Sequence, residues 1–423
     1  MVVALLVGGC TDDGEDTAPD GARESDGSDP VTGSASITAN PGNVLSASVR
    51  VKISGPARVT VTASAGEHRV EVPLTDEAEE HEIALAGLRA DRDYDVEVAV
   101  VDDGGQTTLG EPSVFTTGPL PDDLPELERM SDPELMSGGL TLFDLLPFNP
   151  PGVKSAPRPG YLVIVDEEGE VVWYHTAEQN FNDARQLPNG SFLVSYVDAV
   201  ALEIDLLGTT RREITSGVGL APLAFDPGGQ QPATAEVERA DIDSVHHELG
   251  VLPADGPAGE LLWELAPDGT LPLDGDQPDH LHAPEVQDDG PILIYDNGND
   301  RPGLEAGELY SRAVLYDIDD TDPDPDNWNA RQVWEHRLDD DEGRPTFAPF
   351  LGDADRLANG NALITHGAVT DAAATGALSA RIAEVTQEGD AGSDVALELR
   401  VGVEEREWAV YRSDRIESLY PEG

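Results

Sequence analysis

The sequence predicts an all-β protein in which a β-sandwich is followed by a β-propeller. Two observations carry this reading. Between Ser34 and Gly118, short runs such as SASVRVKIS, ARVTVTAS, HRVEVPL, HEIALAGL and YDVEVAVVDD alternate apolar and polar residues, with Gly, Pro and Asp turns roughly every 8–12 residues. Further along, a strand-like run ending in tryptophan leads to a loop, an Asn-Gly or Asp-Gly turn and another apolar run. EVVW173 precedes LPNG190, ELLW263 precedes QDDG290, and QVW334 precedes LANG360, at gaps of 17, 27 and 26 residues, with Trp408 opening a shortened last copy. Repeats of this size, rich in strands and glycine turns and without helical periodicity, indicate a propeller whose functional loops share one face.

Taken in order, residues 1–10 hold a short apolar run, Val2 to Val7, then Gly8-Gly9-Cys10. This resembles a lipoprotein signal, in which cleavage precedes a cysteine that then carries lipid. Thr11 stands where inner-membrane retention would call for aspartate, so the expected location is the cell envelope, lipid-anchored at the periplasmic or outer face of the outer membrane. Residues 11–33 form an acidic tether: Thr11 to Asp29 contains eight acidic residues, one arginine and no large apolar side chain. Residues 34–118 form the sandwich, which is immunoglobulin- or fibronectin III-like because Leu88 with Tyr94 resembles a tyrosine corner. His68 and His81 fall in this sandwich at positions expected to be solvent-exposed. Residues 119–159 read as a Pro-rich linker, and 160–423 as the propeller.

Composition bounds the function. The chain has 423 residues, of which 39% are hydrophobic, enough for two or three folded units. Its 84 acidic and 25 basic residues give a formal charge of -59, which repels anions and excludes non-specific binding to nucleic acid or an anionic membrane as a main activity. Only Lys52 and Lys154 are lysines, and an acid-rich, lysine-poor surface suits high salt, where the repulsion is screened. The single cysteine, Cys10, excludes an intrachain disulfide, a cysteine-based zinc site and an iron–sulfur cluster.

The stretches GYLVIVDEEGEVVWYH, DARQLPNGSFLVSY, VHHELGVLPADG, HAPEV, ILIYDNGNDRPGLE, YSRAVLYDID, QVWEHR and GDADRLANGNALIT, in this order, resemble the arylsulfate sulfotransferases that work without a nucleotide donor. The resemblance covers nearly everything from Ser34 onward. It implies an immunoglobulin-like domain before a six-bladed propeller, no cofactor, and transfer of a sulfuryl group from a phenolic sulfate donor to a phenolic acceptor through a sulfated histidine. It assigns the nucleophile to His282, which opens HAPEV fourteen positions before Asp296 of the DNGN run. The pair His246-His247, followed by Glu248, matches a second family histidine that contacts the sulfuryl oxygens or aids proton transfer. Adjacent strand residues face opposite ways, so one of the two, with His247 favoured, points into the funnel. His280, two positions before His282, is expected on the same strand face. Arg301 either binds substrate anion or satisfies turn carbonyls, while Asp296 and Asn297 read as turn formers.

One departure from the family pattern bears on activity. The family carries a His-x-Asn-Ser and a Ser-Ser-Arg-His motif between the His-His-acid motif and the tryptophan strand before the nucleophile. Here Gly256 runs almost directly into PAGELLW263, leaving room for neither. Fewer or incomplete blades are therefore expected, with either a replacement for the lost cation or a catalytically weak or inactive propeller that binds an aromatic or sulfated ligand. His366, Arg312 and Arg356 are candidates for recruitment to the axis, whereas His175 and His336, just after blade tryptophans, read as structural. A rival reading makes His280, His282, His247 and Glu248 a metal site for ester hydrolysis, but no HExxH or paired carboxylate–histidine spacing supports it, and no metal is expected.

Overall fold

Alternating β-branched residues leave one face of a strand apolar, and such strands must stack their apolar faces together. In the computed structural model this produces an all-β fold. It describes residues 2–4, 32–102, 105–148, 158–177, 181–196, 200–215, 263, 265, 269–287, 290–371, 374–387, 393–403 and 407–421. The chain divides into two compact units, residues 1–120 with 206–209, and residues 121–205 with 210–423. Cys10, His246, His247 and Glu248 lie outside the described residues. Among those described, no helix is long and apolar enough to cross a membrane.

The first unit is organised by one 19-residue strand, Ala47–Ala65. Its first half pairs with Gly33–Ala39 and Ala78–Leu85, its second half with His68–Val72 and Asp93–Asp102, and a register irregularity separates them between Lys52 and Ala57. SASVRVKIS and ARVTVTAS are thus one strand whose pairing is irregular between Lys52 and Ala57, rather than two strands joined by a turn. A strand that changes sheets at an irregularity is how a sandwich makes a corner. Val49, Val51, Ile53, Val59 and Val61 are buried along it with period two. Tyr94 is fully buried, and its hydroxyl accepts the Arg89 N–H at 2.8 Å, the geometry of a tyrosine corner.

The two sandwich histidines are not free on a polar face. His81 lies in phase with Ile83 and Leu85 on the inward face of its strand, with ring nitrogens 2.9 Å from Thr75 Oγ1 and 3.0 Å from the Ala78 carbonyl. His68 Nε2 donates to the Gly87 carbonyl at 2.9 Å. Loops folding back over the strand ends, which period-two alternation does not report, supply these partners.

The second unit is a set of antiparallel meanders in propeller-like arrangement. One sheet runs Phe181–Gln186, Phe192–Tyr196, Val200–Ile204, Thr210–Thr215. A second runs Leu281–Val286, Ile292–Asp296, Arg312–Asp319, Asn329–Arg337, with Leu273–Asp274 parallel at its outer edge. A third runs Asp353–Arg356, Ala362–Asp371, Ala374–Val385, Val395–Val401 and ends on Leu127–Ser131. The fourth joins the ends of the unit: Ser413–Ile416 pairs with Leu140–Pro147, which continues into Gly160–Val165 and Val171–Ala177. Leu127–Ser131 and Leu140–Pro147 fall within 119–159, so that stretch is blade rather than plain linker. Its LTLFDLLP run buries Leu142, Phe143 and Leu145 despite the flanking prolines.

The tryptophan repeat has a packing meaning. Trp173, on the fourth strand of its sheet, packs against Phe192 of the next sheet at 4.9 Å between ring centroids. Trp334 likewise packs against a core that includes Ala362 and Ile364 of the following sheet. Each motif therefore straddles a blade boundary, and full burial of a ring the size of Phe192 contributes roughly 1.5–3 kcal/mol. His175 and His336 stack on these tryptophans at 6.3 Å with interplanar angles of 15° and 17°. Desolvation lowers the pKa of both, that of His336 to about 4, so they fill strand positions as neutral rings.

Candidate functional site

His282 lies on Leu281–Val286, the first strand of its sheet, opposite Tyr295. The ladder shifts register between His282 and Glu285, and the residues on either side of the histidine, His280 (φ 53°) and Ala283 (φ 49°), are left-handed. That conformation costs an L-residue roughly 1–2 kcal/mol, and Ala283 adopts it although Pro284 follows, a context that favours extended backbone. Strain of this kind persists only where surrounding contacts hold it.

The holding contacts come from the DNGN turn. His282 is half-buried, and its Nδ1 is 2.6 Å from Asn297 Oδ1. Asn297 is fully buried, and its Nδ2 donates to the Ala348 carbonyl at 2.6 Å and the Leu351 carbonyl at 2.9 Å. Ser311 Oγ donates to the Asn297 carbonyl and accepts the Ala348 N–H, each at 2.9 Å. Gly298 closes the turn at φ 73°, where a Cβ would come within 2.4 Å of the Tyr310 carbonyl. Gly352 is equally constrained, since its Cβ would lie 2.2 Å from the Tyr295 ring. Both glycines permit the backbone to approach where no side chain fits.

Behind this turn sits a sealed charge cluster. Asp296 is fully buried; it accepts the Asp279 N–H at 2.9 Å, Arg301 Nη2 at 2.6 Å and Arg312 Nε at 2.8 Å. Arg312, also fully buried, donates further to Glu335 and to the Asp276 carbonyl. Arg301 stacks on Tyr310 at 4.2 Å, and Arg337 stacks on the same ring at 3.8 Å. Asp296 is therefore the hub of two guanidiniums rather than a simple turn former. Arg301, expected to meet substrate anion or turn carbonyls, has its charge matched by Asp296 and donates from Nε to the Tyr310 carbonyl beside the turn at 3.4 Å, and Arg312 is packed into the same hub.

His280 does not share a strand face with His282. It precedes the strand, and its left-handed backbone breaks the alternation that would have placed it beside His282. Its Nδ1 instead meets Asp279 Oδ1 at 2.6 Å. Asp279, His280 and Asp300 bring ligand-type atoms within 4.8 Å of one another, and they are the one such group among the described residues. His282 is not part of that group. His366 is fully buried on Ala362–Asp371, with Nδ1 2.9 Å from the Tyr295 hydroxyl and Nε2 without a hydrogen-bond partner. Desolvation, reinforced by Arg381 and His336, holds its pKa well below the ordinary value. It supports the strand opposite His282 and is closed to substrate.

The first strands of the sheets also carry a carboxylate–arginine cluster that the motifs did not reveal. Arg185 lies 3.3 Å from Asp414 and 3.8 Å from Asp183, and Arg412 lies 3.6 Å from Asp183 and 3.8 Å from Asp353. Glu285, three residues after His282, accepts the Arg356 N–H at 3.4 Å. Desolvation raises the pKa of Asp353 and Asp355, with Asp183 and Asp353 respectively adding to it. Their period-two spacing on short strands was visible in DAR and DADR, but nothing local marks such strands as first in a sheet.

Residues 271–412, which include His282, Asn297, Arg301 and His366, match the family model described as Arylsulfotransferase (ASST). No curated protein matches the chain. The match spans about a third of the chain, the sheet that carries His282 and most of the sheet that follows it, and over that stretch the chain is similar to arylsulfotransferases.

Proposed function

We propose that the protein transfers a sulfuryl group from a phenolic sulfate ester to a phenol by way of His282. The observation that carries this is the half-buried imidazole, fixed by a buried amide 2.6 Å away, inside the family-matched segment. An unprotonated ring nitrogen of His282 attacks sulfur and an N–S bond forms. The S–O bond to the aryl group breaks, and the phenolate leaves with the electron pair and takes a proton from solvent. A second phenol, as its phenolate, then attacks the same sulfur, and the N–S electrons return to the imidazole. Charge growing on the sulfuryl oxygens calls for cationic or N–H donors, a part for which we propose His247 or His246.

The commitment of Arg301 and Arg312 to Asp296 favours a second reading, a slow or inactive propeller that binds an aromatic or sulfated ligand. Incubation with a nitrophenyl sulfate separates the two. A transferase releases one phenol per protein in a burst, gains the mass of a sulfuryl group on His282, and turns over when a second phenol is added. His282→Ala abolishes both signals. Ligand binding with no burst overturns the transferase reading, and turnover without an acceptor that stops with a chelator points to a metal hydrolase. We further propose that Cys10 carries a lipid anchor to the cell envelope; lipid-precursor labelling that survives Cys10→Ala overturns that part.

A further inference from the structure

We infer that Asn297 is a positioning residue that fixes the tautomer of His282, so that the hydrogen is on Nδ1 and the lone pair that attacks sulfur is on Nε2. The inference rests on the proposed function for its catalytic meaning, but its geometry stands by itself. An amide can be turned end for end, and its orientation is set by its partners. The Asn297 nitrogen faces two backbone carbonyls, Ala348 at 2.6 Å and Leu351 at 2.9 Å, which accept only. Turning the amide over would set its oxygen against both carbonyl oxygens in a fully buried site. The oxygen therefore faces His282, and because an amide oxygen accepts only, Nδ1 must donate across the 2.6 Å contact. The proton on one ring nitrogen is thus dictated by the bond the other end of the network makes.

The choice of a neutral acceptor has a chemical consequence. When Nε2 bonds to sulfur, Nδ1 keeps its hydrogen and the ring becomes cationic, which makes it a better leaving group for the second transfer. An amide oxygen holds that hydrogen without stabilising the doubly protonated ring of the resting enzyme as strongly as a carboxylate would. The same amide ties the 346–352 loop, with its exposed Phe350, to the nucleophile through the Ala348 and Leu351 carbonyls. Nucleophile and loop are consequently held by one side chain.

The test reads the tautomer directly, by nitrogen-15 NMR of histidine-labelled protein, with the sulfation burst recorded on the same samples. Wild type should show His282 protonated on Nδ1. Asn297→Ala should shift it toward the Nε2-protonated form and slow the burst on the order of a hundredfold or more, as loss of tautomer control does elsewhere. Asn297→Asp keeps an acceptor for Nδ1 and should restore the wild-type tautomer, although it donates to neither carbonyl. Ser311→Ala loosens the same loop without touching the imidazole and should leave the tautomer as it is. An Nε2-protonated ring in wild type, or an Asn297→Ala ring still protonated on Nδ1, overturns the inference. A correct tautomer with no burst leaves it standing and defeats the transferase reading instead.

Discussion

The sheet beginning at Leu281 and the sheet beginning at Asp353 both place a histidine against Tyr295, and they treat it differently. His282 is half-buried, and the turn behind it satisfies its buried groups: Asp296 has two arginines and a backbone N–H, and Asn297 uses both its oxygen and its nitrogen. His366 is fully buried with one ring nitrogen bonded and the other without a partner. The first sheet spends polar contacts on fixing a ring that reaches the surface, whereas the second keeps a neutral ring as filling. A histidine's chemistry is therefore legible in what orders its ring and in its access, and not in its presence beside a turn.

The largest test of this contrast is Asp296→Ala. It leaves Arg301 and Arg312 charged in a buried site with no carboxylate between them, and breaking a buried pair from one side costs about 3–5 kcal/mol. A large fall in the thermal midpoint is expected, together with loss of the burst. An Asp296→Ala protein as stable as wild type would show that the hub contributes little to holding the turn.

Much of the architecture was legible because it is periodic. Alternation gave the sandwich strands, and the tryptophan-to-turn repeat gave blades, since Trp173 and Trp334 each pack against the sheet that follows. What escaped were features that depend on distant partners. Asn297 reads as a turn former because the carbonyls that orient it, Ala348 and Leu351, lie about fifty residues away. Asp296 looks local for the same reason: the sequence shows Arg301 five positions on, and it offers Arg312 for the axis rather than as a partner of this carboxylate. His280 failed in the opposite way, because strict alternation was extended one residue past the strand into a left-handed turn.

A smaller effect separates neutral filling histidines from the site by pH. His336, like His366, is held below its ordinary pKa by desolvation, at about 4 against about 6.5 in the unfolded chain. Between those values the unfolded state binds a proton that the folded state refuses, so stability falls as pH drops from about 6.5 to about 4, by up to about 1.4 kcal/mol per pH unit. Above 6.5 the histidine is neutral in both states and contributes no slope. His336→Phe should flatten the thermal midpoint across that acid window. Asp353 acts over an overlapping range with the opposite sign. Its pKa is raised by desolvation, so it keeps a proton in the folded state that the unfolded chain loses, and stability declines as pH rises above the ordinary carboxylate range. Asp353→Asn should remove that decline between about pH 4 and about pH 8, and an unchanged slope there would mean that Asp353 is ionised in the fold.

The smallest expected effect comes from the sandwich and serves as the control for all the others. Tyr94→Phe keeps the fully buried ring but removes the hydroxyl that accepts the Arg89 N–H at 2.8 Å. A part-buried backbone donor is then left without that partner, which costs about 1–3 kcal/mol if water cannot reach it and about 1 kcal/mol if water substitutes. The loss should show as a lower midpoint for the unit of residues 1–120. Tyr94 lies in a different compact unit from His282, so the burst measured below the unfolding transition should keep both its amplitude and its rate. If Tyr94→Phe weakened the burst as Asp296→Ala does, the stability of the fold at large, and not the ordering of one turn, would be what the sulfation assay reports.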